Sequence, residues 1–150
     1  MIHEQFFEDY EIGNVRTTFG RTITETDIVM HAGHSGDYFP HHVDVEFCKT
    51  QPFKRPIAHG TMTFAIGVGL TATEINPRAM TYGYDQLRFP TPVFAGDTIK
   101  TIVTVAEKFD DPKRPNFGRV IETKNVTNQN GKTVMFVRHI LLVEKLGKAS

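Results

Sequence analysis

The sequence has almost no cysteine, no net charge and no long apolar run. A single cysteine, Cys48, in 150 residues excludes an internal disulfide framework and favours a reducing compartment. The 17 basic residues equal the 17 acidic ones in number, so no broad basic surface is available for a nucleic-acid backbone. No apolar run approaches the roughly 20 residues of a membrane-spanning helix, and the first residues lack the features of a signal peptide. We therefore expect a cytoplasmic protein that binds neither nucleic acid nor membrane.

Neither an internal repeat nor a linker-like segment divides the chain. Its length is that of one ordinary domain, and its apolar content is close to the average of globular proteins, so a hydrophobic core is expected. We therefore predict a single domain over residues 1–150.

Two short helices are predicted before residue 50. Thr24 or Thr26 can cap a helix that runs to about His31, because a side-chain oxygen accepts a hydrogen bond from an otherwise unpaired N–H. Residues 37–40 are stiffened by a proline and form a rigid corner. A short helix follows over about 41–49.

The main helix is predicted over about 61–74. Its side chains are nearly all apolar, which predicts burial on most sides. Gly67 and Gly69 each cost about 1 kcal/mol of helix propensity relative to alanine. We interpret them as positions where another backbone approaches closely.

Strand patterns dominate the remainder of the chain. Segments rich in β-branched and aromatic residues predict strands over 15–23, 80–89, 98–108, 117–127 and 132–144. Asn130-Gly131 indicates a hairpin between the last two strands. The pattern predicts an α+β fold in which an antiparallel meander wraps around the main helix.

The pattern most informative about function lies between residues 35 and 60. Asp37 and His42 stand five residues apart around the proline corner, so a carboxylate and an imidazole can point into one pocket. Gly60 opens the main helix, where unpaired N–H groups and partial positive charge can receive a carbonyl oxygen. Acyl-thioester chemistry needs an acid, a base and such donors close together, so we predict an enzyme.

Two motifs around these residues resemble those of the MaoC-like dehydratases, the (R)-specific enoyl-CoA hydratases of the hotdog fold. The family pattern Ser-Gly-Asp-x-Asn-Pro-hydrophobic-His is met at Ser35, Gly36, Asp37, Pro40 and His42. The pattern Phe-x-x-Pro-Ile-Ala-His-Gly is met at Phe53, Pro56, Ile57, Ala58, His59 and Gly60. The resemblance implies a single hotdog domain, with an antiparallel sheet wrapped around a central buried helix.

The resemblance also implies a reaction. The expected enzyme is an (R)-specific enoyl-CoA hydratase or 3-hydroxyacyl-CoA dehydratase, a hydro-lyase that adds water to an acyl-CoA thioester or removes it. Asp37 and His42 would share the proton transfers, and the amide of Gly60 would bind the thioester carbonyl. No cofactor is expected, because coenzyme A arrives as part of the substrate. Pairing of single hotdog chains implies a homodimer or a multiple of dimers.

Two residues beside the catalytic positions depart from the family pattern. Phe39 stands where the family usually has asparagine, and His41 stands where it usually has isoleucine or leucine. We predict that Tyr38 and Phe39 contact the substrate and reshape the pocket. Their bulk would either shorten the usable acyl chain or stack on an unsaturated one, and the sequence does not identify the acyl group.

Three further residues are candidates for substrate binding. Lys54 and Arg55 lie near the pocket entrance in sequence and could meet the phosphates of coenzyme A, although a solvated loop is the simpler interpretation. His59 is predicted to pack or to form a hydrogen bond at the start of the main helix.

Five histidines between residues 31 and 59 raise the alternative of a metal site. His31 and His34 have a spacing that fits one helix face, but Gly33 separates them and no clear carboxylate partner follows. We therefore predict that the site holds no metal.

Two other functions of a hotdog protein stay open. A thioesterase would need a carboxylate on the central helix, and the only acidic residue there is Glu74 near the far end, which disfavours it. A non-catalytic acyl-CoA-binding module is the second alternative, because Phe39 and His41 change the pocket. Release of free thiol would identify the first, and tight binding without turnover the second.

Overall fold

An antiparallel sheet forms most of the second half of the chain in the computed structural model, which describes residues 1–147. The strands are β1 (Val15–Thr17), β2 (Arg21–Thr22), β3 (Ala79–Arg88), β4 (Thr98–Asp110), β5 (Phe117–Thr127) and β6 (Thr133–Glu144). The helices are α1 (Glu25–Ser35), α2 (Pro40–Val43), α3 (Val45–Lys49) and α4 (Gly60–Gly69), and 3-10 turns cover Phe7–Asp9 and Leu70–Thr73. The predicted α+β architecture is confirmed.

The strand order is β1-β4-β5-β6-β3, with β2 also paired to β4. The predicted meander therefore holds for β4, β5 and β6, and the hairpin after β5 closes at Gly131, whose φ is +74°. It is wrong for β3, which pairs with β6 at the edge of the sheet instead of with β4. Pairing between distant segments depends on the whole fold, so local patterns do not reveal it.

The predicted first strand is interrupted. Thr17 pairs with Ile102 and Arg21 pairs with Ile99. The chain therefore advances four residues from Thr17 to Arg21 while β4 advances only three. The extra residue is a bulge, which divides the predicted strand 15–23 into β1 and β2.

The helices before the site begin and end at capping residues. Thr24 accepts a hydrogen bond from Asp27 N–H (3.1 Å) and donates its own N–H to the Asp27 carboxylate (2.8 Å), so the predicted cap is Thr24. The predicted helix 41–49 is two helices, because Asp44 ends α2 and caps α3 through Phe47 N–H (2.9 Å).

Helix α4 packs against β4, β5 and β6 of the sheet. Gly67 lies so close to β5 that a β-carbon on it would stand 2.7 Å from Val126 Cγ2. The close neighbour is therefore a side chain and not the predicted backbone, and Gly69 has nothing within 4 Å of such a β-carbon. The prediction that α4 is buried on most sides is also wrong for a single copy of the chain. Thr61 and Ala65 are exposed, because the sheet covers only one face of the helix.

The main core lies between α4 and the sheet. Its most deeply buried members include Ile23, Ile99, Val126, Met135 and Val137. Among residues 1–147, no helix is long and apolar enough to cross a membrane.

Candidate active site

The corner after α1 carries the candidate carboxylate. Gly36 ends α1 in the left-handed conformation (φ +76°), which turns the chain sharply. Asp37 follows, and its Oδ1 accepts a hydrogen bond from Phe39 N–H (3.1 Å). Oδ2 remains directed towards α2, and about half of the side chain is exposed.

The candidate base lies on α2, two residues after the proline that opens the helix. His42 Nδ1 is 2.7 Å from the carbonyl oxygen of Ile57, so Nδ1 carries the proton and donates it. Nε2 is therefore the unprotonated nitrogen, and it lies 4.0 Å from Asp37 Oδ2. The structure brings the two predicted catalytic side chains together.

The environment keeps His42 neutral. Burial lowers the pKa of His42, and the neighbouring rings of His59 and His41 lower it as well. The bond to Ile57 and the carboxylate of Asp37 oppose this shift, but the net direction is downward. At neutral pH the imidazole is therefore a base with a free lone pair at Nε2.

His59 is packed behind this pair. It is 1% exposed, and its Nε2 donates to the backbone carbonyl of Asp37 (2.8 Å). Its ring stacks on His42 with centroids 3.8 Å apart, and His31 packs on it at 4.8 Å. His59 thus lies at the helix start, while its contact with a substrate stays a prediction.

Helix α4 presents its first N–H groups to the same place. The first intrahelical bond runs from Thr63 N–H to His59 carbonyl (3.0 Å), so the N–H groups before Thr63 lack a helical acceptor. Gly60 is the first residue of the helix, and the ring of Phe89 covers it closely. As one of the N–H groups without a helical acceptor, that of Gly60 can donate to an oxygen of a ligand.

A cavity of about 360 Å³ opens between His42 and Gly60. Its other walls are mainly apolar and include Phe53, Phe89 and Val93. The sequence reasoning did not assign Phe53 and Phe89 to the pocket. Phe53 belongs to the motif Phe-x-x-Pro-Ile-Ala-His-Gly, and that was the available signal for it.

Three of the residues predicted to contact the substrate, Tyr38, Phe39 and Lys54, do not line this cavity. Tyr38 and Phe39 are more than half exposed and are not among the residues that line it. Phe39 packs edge-on against His41 (4.6 Å). Lys54 Nζ donates to the carbonyl of Lys49 (3.2 Å), and Lys54 does not line the cavity.

Arg55 lies beside a second cavity, of about 300 Å³, that also reaches His42. Its guanidinium stacks on the ring of Phe94 at 4.0 Å. The guanidinium of Arg55 thus lies at a cavity that His42 also lines, and the sequence predicted the pocket entrance near Arg55. Phosphate binding by Arg55 stays a prediction.

Asp37, His42 and His59 offer one ligand atom each within 4.8 Å of one another, which is a candidate metal cluster. The stacked rings fit this poorly. Imidazole nitrogens bind a metal in the plane of the ring, and these two planes are tilted by only 24° at a separation of 3.8 Å. One ion therefore cannot lie in both planes at normal bond lengths.

A second polar cluster, which the sequence did not reveal, lies at the other end of α4. Lys124 and Glu122 are almost fully buried and form an ion pair (3.1 Å), which Arg16 extends. His139 lies 4.0 Å from Glu122 and stacks on Tyr84. Burial, with the charge of Lys124, lowers the pKa of His139 to about 4. The cluster is separate from the cavity beside His42.

The chain is similar to proteins that are named as acyl-CoA hydratases and dehydratases. A family model described as "MaoC like domain" matches residues 9–133. The (R)-specific enoyl-CoA hydratase of Rhodospirillum rubrum is 33% identical over 112 residues, covering 75% of this chain and 77% of that protein. The 3-hydroxybutyryl-CoA dehydratase of Methylorubrum extorquens is 31% identical over 109 residues, covering 73% and 69%.

Solved structures agree on the architecture. A protein from Archaeoglobus fulgius, described as a monoamine oxidase regulatory protein, is 34% identical with a TM-score of 0.88 over 95% of each chain. A Mycobacterium tuberculosis protein described as a double hotdog fold is 21% identical, with a TM-score of 0.76 over 98% of this chain and 46% of that one. The second likeness concerns the fold alone, and it confirms the predicted hotdog fold.

Proposed function

The chain belongs to the MaoC-like dehydratase family, and from that premise we propose that it is an (R)-specific hydro-lyase. It would add water to a trans-2-enoyl-CoA thioester, or remove water from a 3-hydroxyacyl-CoA. The observation that carries the proposal is the separation of 4.0 Å between Asp37 Oδ2 and His42 Nε2, at a cavity that Gly60 also lines.

A single water molecule suits the gap between Asp37 and His42. With their atoms 4.0 Å apart, one oxygen can lie about 2.8 Å from each. His42 Nε2 accepts a proton from this water, since its lone pair is free. The carboxylate of Asp37 accepts the second hydrogen and aims the oxygen at C3 of the substrate.

The helix N-terminus serves the other half of the reaction. As the C3–O bond forms, the electron pair of the C2=C3 double bond shifts towards the thioester carbonyl. The N–H of Gly60 and the positive end of α4 stabilise the resulting oxyanion. The proton held on His42 Nε2 then passes to C2, so one water has been added without a metal or redox cofactor.

The apolar cavity suits the acyl group. Phe53 and Phe89 stand on its walls, and its volume of about 360 Å³ limits the length of chain that it holds. We propose a short acyl chain there, with coenzyme A extending towards the exposed residues Lys54 and Arg55. These cations would meet the phosphates.

Hydrolysis of the thioester is the less favoured function. Glu74, the acidic residue nearest the end of the central helix, follows Gly60 by 14 residues and lines the cavity of the second polar cluster. At about 1.5 Å per residue this is roughly 20 Å from the Gly60 amide, too far to attack a carbonyl bound there.

A homodimer, or a multiple of dimers, is part of the proposal. Strand β3 is an edge strand and exposes Met80 and Tyr82, and α4 exposes Thr61 and Ala65. A second copy could cover both surfaces. Light scattering at micromolar concentration tests this, and a monomer would contradict it.

The function is tested with a panel of enoyl-CoA thioesters that differ in chain length. The alkene absorbance and the free thiol are followed together. Loss of the alkene without thiol release is expected, most rapidly for the shortest chains. Thiol release would identify a thioesterase, and binding without either change would identify a non-catalytic module.

A further inference from the structure

We infer that His59 is a positioning residue, which holds Asp37 and His42 at their working separation without touching the substrate. The inference rests on the proposed function for its kinetic consequences. Its structural basis is that His59 contacts both partners, at the backbone of Asp37 and at the ring of His42.

The first contact fixes the carboxylate. Asp37 lies in a corner that is open to solvent, with about half of its side chain exposed. The hydrogen bond from His59 Nε2 to the Asp37 carbonyl (2.8 Å) ties this corner to the start of α4. The carboxylate is therefore anchored to the same helix that presents Gly60.

The second contact fixes the base. The edge of the His42 ring is held by the carbonyl of Ile57, and its face by the ring of His59 at 3.8 Å. His31 lies on His59 at 4.8 Å, and its Nε2 is 2.9 Å from Thr61 Oγ1. These contacts leave His59 little freedom to shift.

The unsatisfied atom of His59 supports a role beyond packing. Its Nδ1 is buried and has no hydrogen-bond partner among residues 1–147. A buried polar atom without a partner costs free energy, so an apolar ring would fill the same space at lower cost. What an apolar ring lacks is the donor at Nε2, and the Asp37 carbonyl uses that donor.

Two substitutions separate the contacts. His59→Phe keeps a ring to stack on His42 but removes the donor to Asp37. His59→Gln keeps a donor at about the position of Nε2 but removes the ring. His139→Phe is the matched control. His139 is also buried, also stacks on an aromatic ring and also has an Nδ1 without a hydrogen-bond partner among residues 1–147, but it lies in the second polar cluster.

With crotonyl-CoA, we expect His59→Phe to lower kcat about 100-fold and to change KM less than about threefold, because misplacement of reacting groups acts on the chemical step. His59→Gln should lower kcat about tenfold, and His139→Phe should stay within about twofold of the wild type. The acidic limb of the pH profile should move to higher pH in both His59 variants, since both remove the imidazole of His59, whose electrostatic effect lowers the pKa of His42. Wild-type kcat and pH profile in His59→Phe, or equal losses in His59→Phe and His139→Phe, would overturn the inference.

Nitrogen NMR of the His42 ring tests the same inference without turnover. In the wild type, we expect the Nδ1-protonated form, and in His59→Phe a mixture of tautomers with a higher pKa. An unchanged His42 spectrum in both His59 variants would overturn positioning by His59, whatever the activity. If the wild type hydrates no enoyl-CoA while the His42 spectrum changes as expected, the proposed function fails and the positioning role stands.

Discussion

The ring of Phe89 lies so close over Gly60 that a β-carbon on the glycine would stand 2.9 Å from Phe89 Cε2. The absence of a side chain at Gly60 therefore serves two purposes. It allows Phe89 to close the wall of the apolar cavity, and it leaves the first N–H of α4 open to a carbonyl oxygen.

Gly60→Ala tests this contact. We expect kcat to fall about 100-fold, because the new methyl group displaces Phe89 and the amide moves relative to the carbonyl. Adding Phe89→Ala to Gly60→Ala should restore part of the activity by relieving the clash. Crotonyl-CoA kinetics measure both, and a Gly60→Ala enzyme with wild-type kcat would contradict the role of this position.

The two glycines of α4 should respond in opposite ways to alanine. Gly67→Ala should destabilise the fold by about 1–3 kcal/mol, because the methyl group would overlap Val126 Cγ2 at 2.7 Å. Gly69→Ala should stabilise it by up to about 1 kcal/mol through helix propensity, since nothing lies within 4 Å. Urea unfolding measures both. Equal losses would mean that another surface covers Gly69.

Stability should fall on acidification because of His139. Its pKa is about 4 in the folded protein and 6.5 when unperturbed, so below pH 6.5 the unfolded chain binds a proton that the folded chain excludes until about pH 4. This linkage costs about 2 kcal/mol of unfolding free energy between pH 7 and pH 5. His139→Phe should remove that part of the pH dependence, as measured by urea unfolding at both pH values. An identical pH dependence in the two proteins would contradict the prediction.

Chelators should leave the activity unchanged. The proposed reaction uses Asp37, His42 and the Gly60 amide, and the stacked rings of His42 and His59 are poorly arranged for a shared ion. Dialysis against EDTA followed by the hydration assay checks this, with a known zinc enzyme as the positive control. Loss of activity that zinc restores would require a metal in the mechanism.

Local sequence patterns predicted that Asp37, His42 and Gly60 lie close together, and the structure brings them to one cavity or its rim. Asp37, His42 and Gly60 converge because a short corner and one helix start carry them, and such features follow from nearby proline and glycine residues. The cap at Thr24 and the hairpin at Gly131 were equally local, and both agree with the structure.

The features that the sequence did not predict depend on contacts between distant segments. Nothing near β3 indicates that it pairs with β6, and the bulge between β1 and β2 appears only against β4. The cavity wall combines segments that are far apart in the chain, at Phe53 and Phe89. The second polar cluster does the same with Lys124, Glu122 and His139. The spacing of residues within one segment carries no information on contacts between distant segments.

Hydration of crotonyl-CoA by the wild type and by Asp37→Asn tests the central claim most directly. Asparagine can still accept the Phe39 N–H bond but lacks the charge that holds the water. Asp44→Asn is the matched control, because Asp44 also accepts a backbone N–H in a nearby turn and lies outside the cavity. The account predicts turnover in the wild type and in Asp44→Asn, and a loss of about 1,000-fold or more in Asp37→Asn. Wild-type turnover in Asp37→Asn would contradict it.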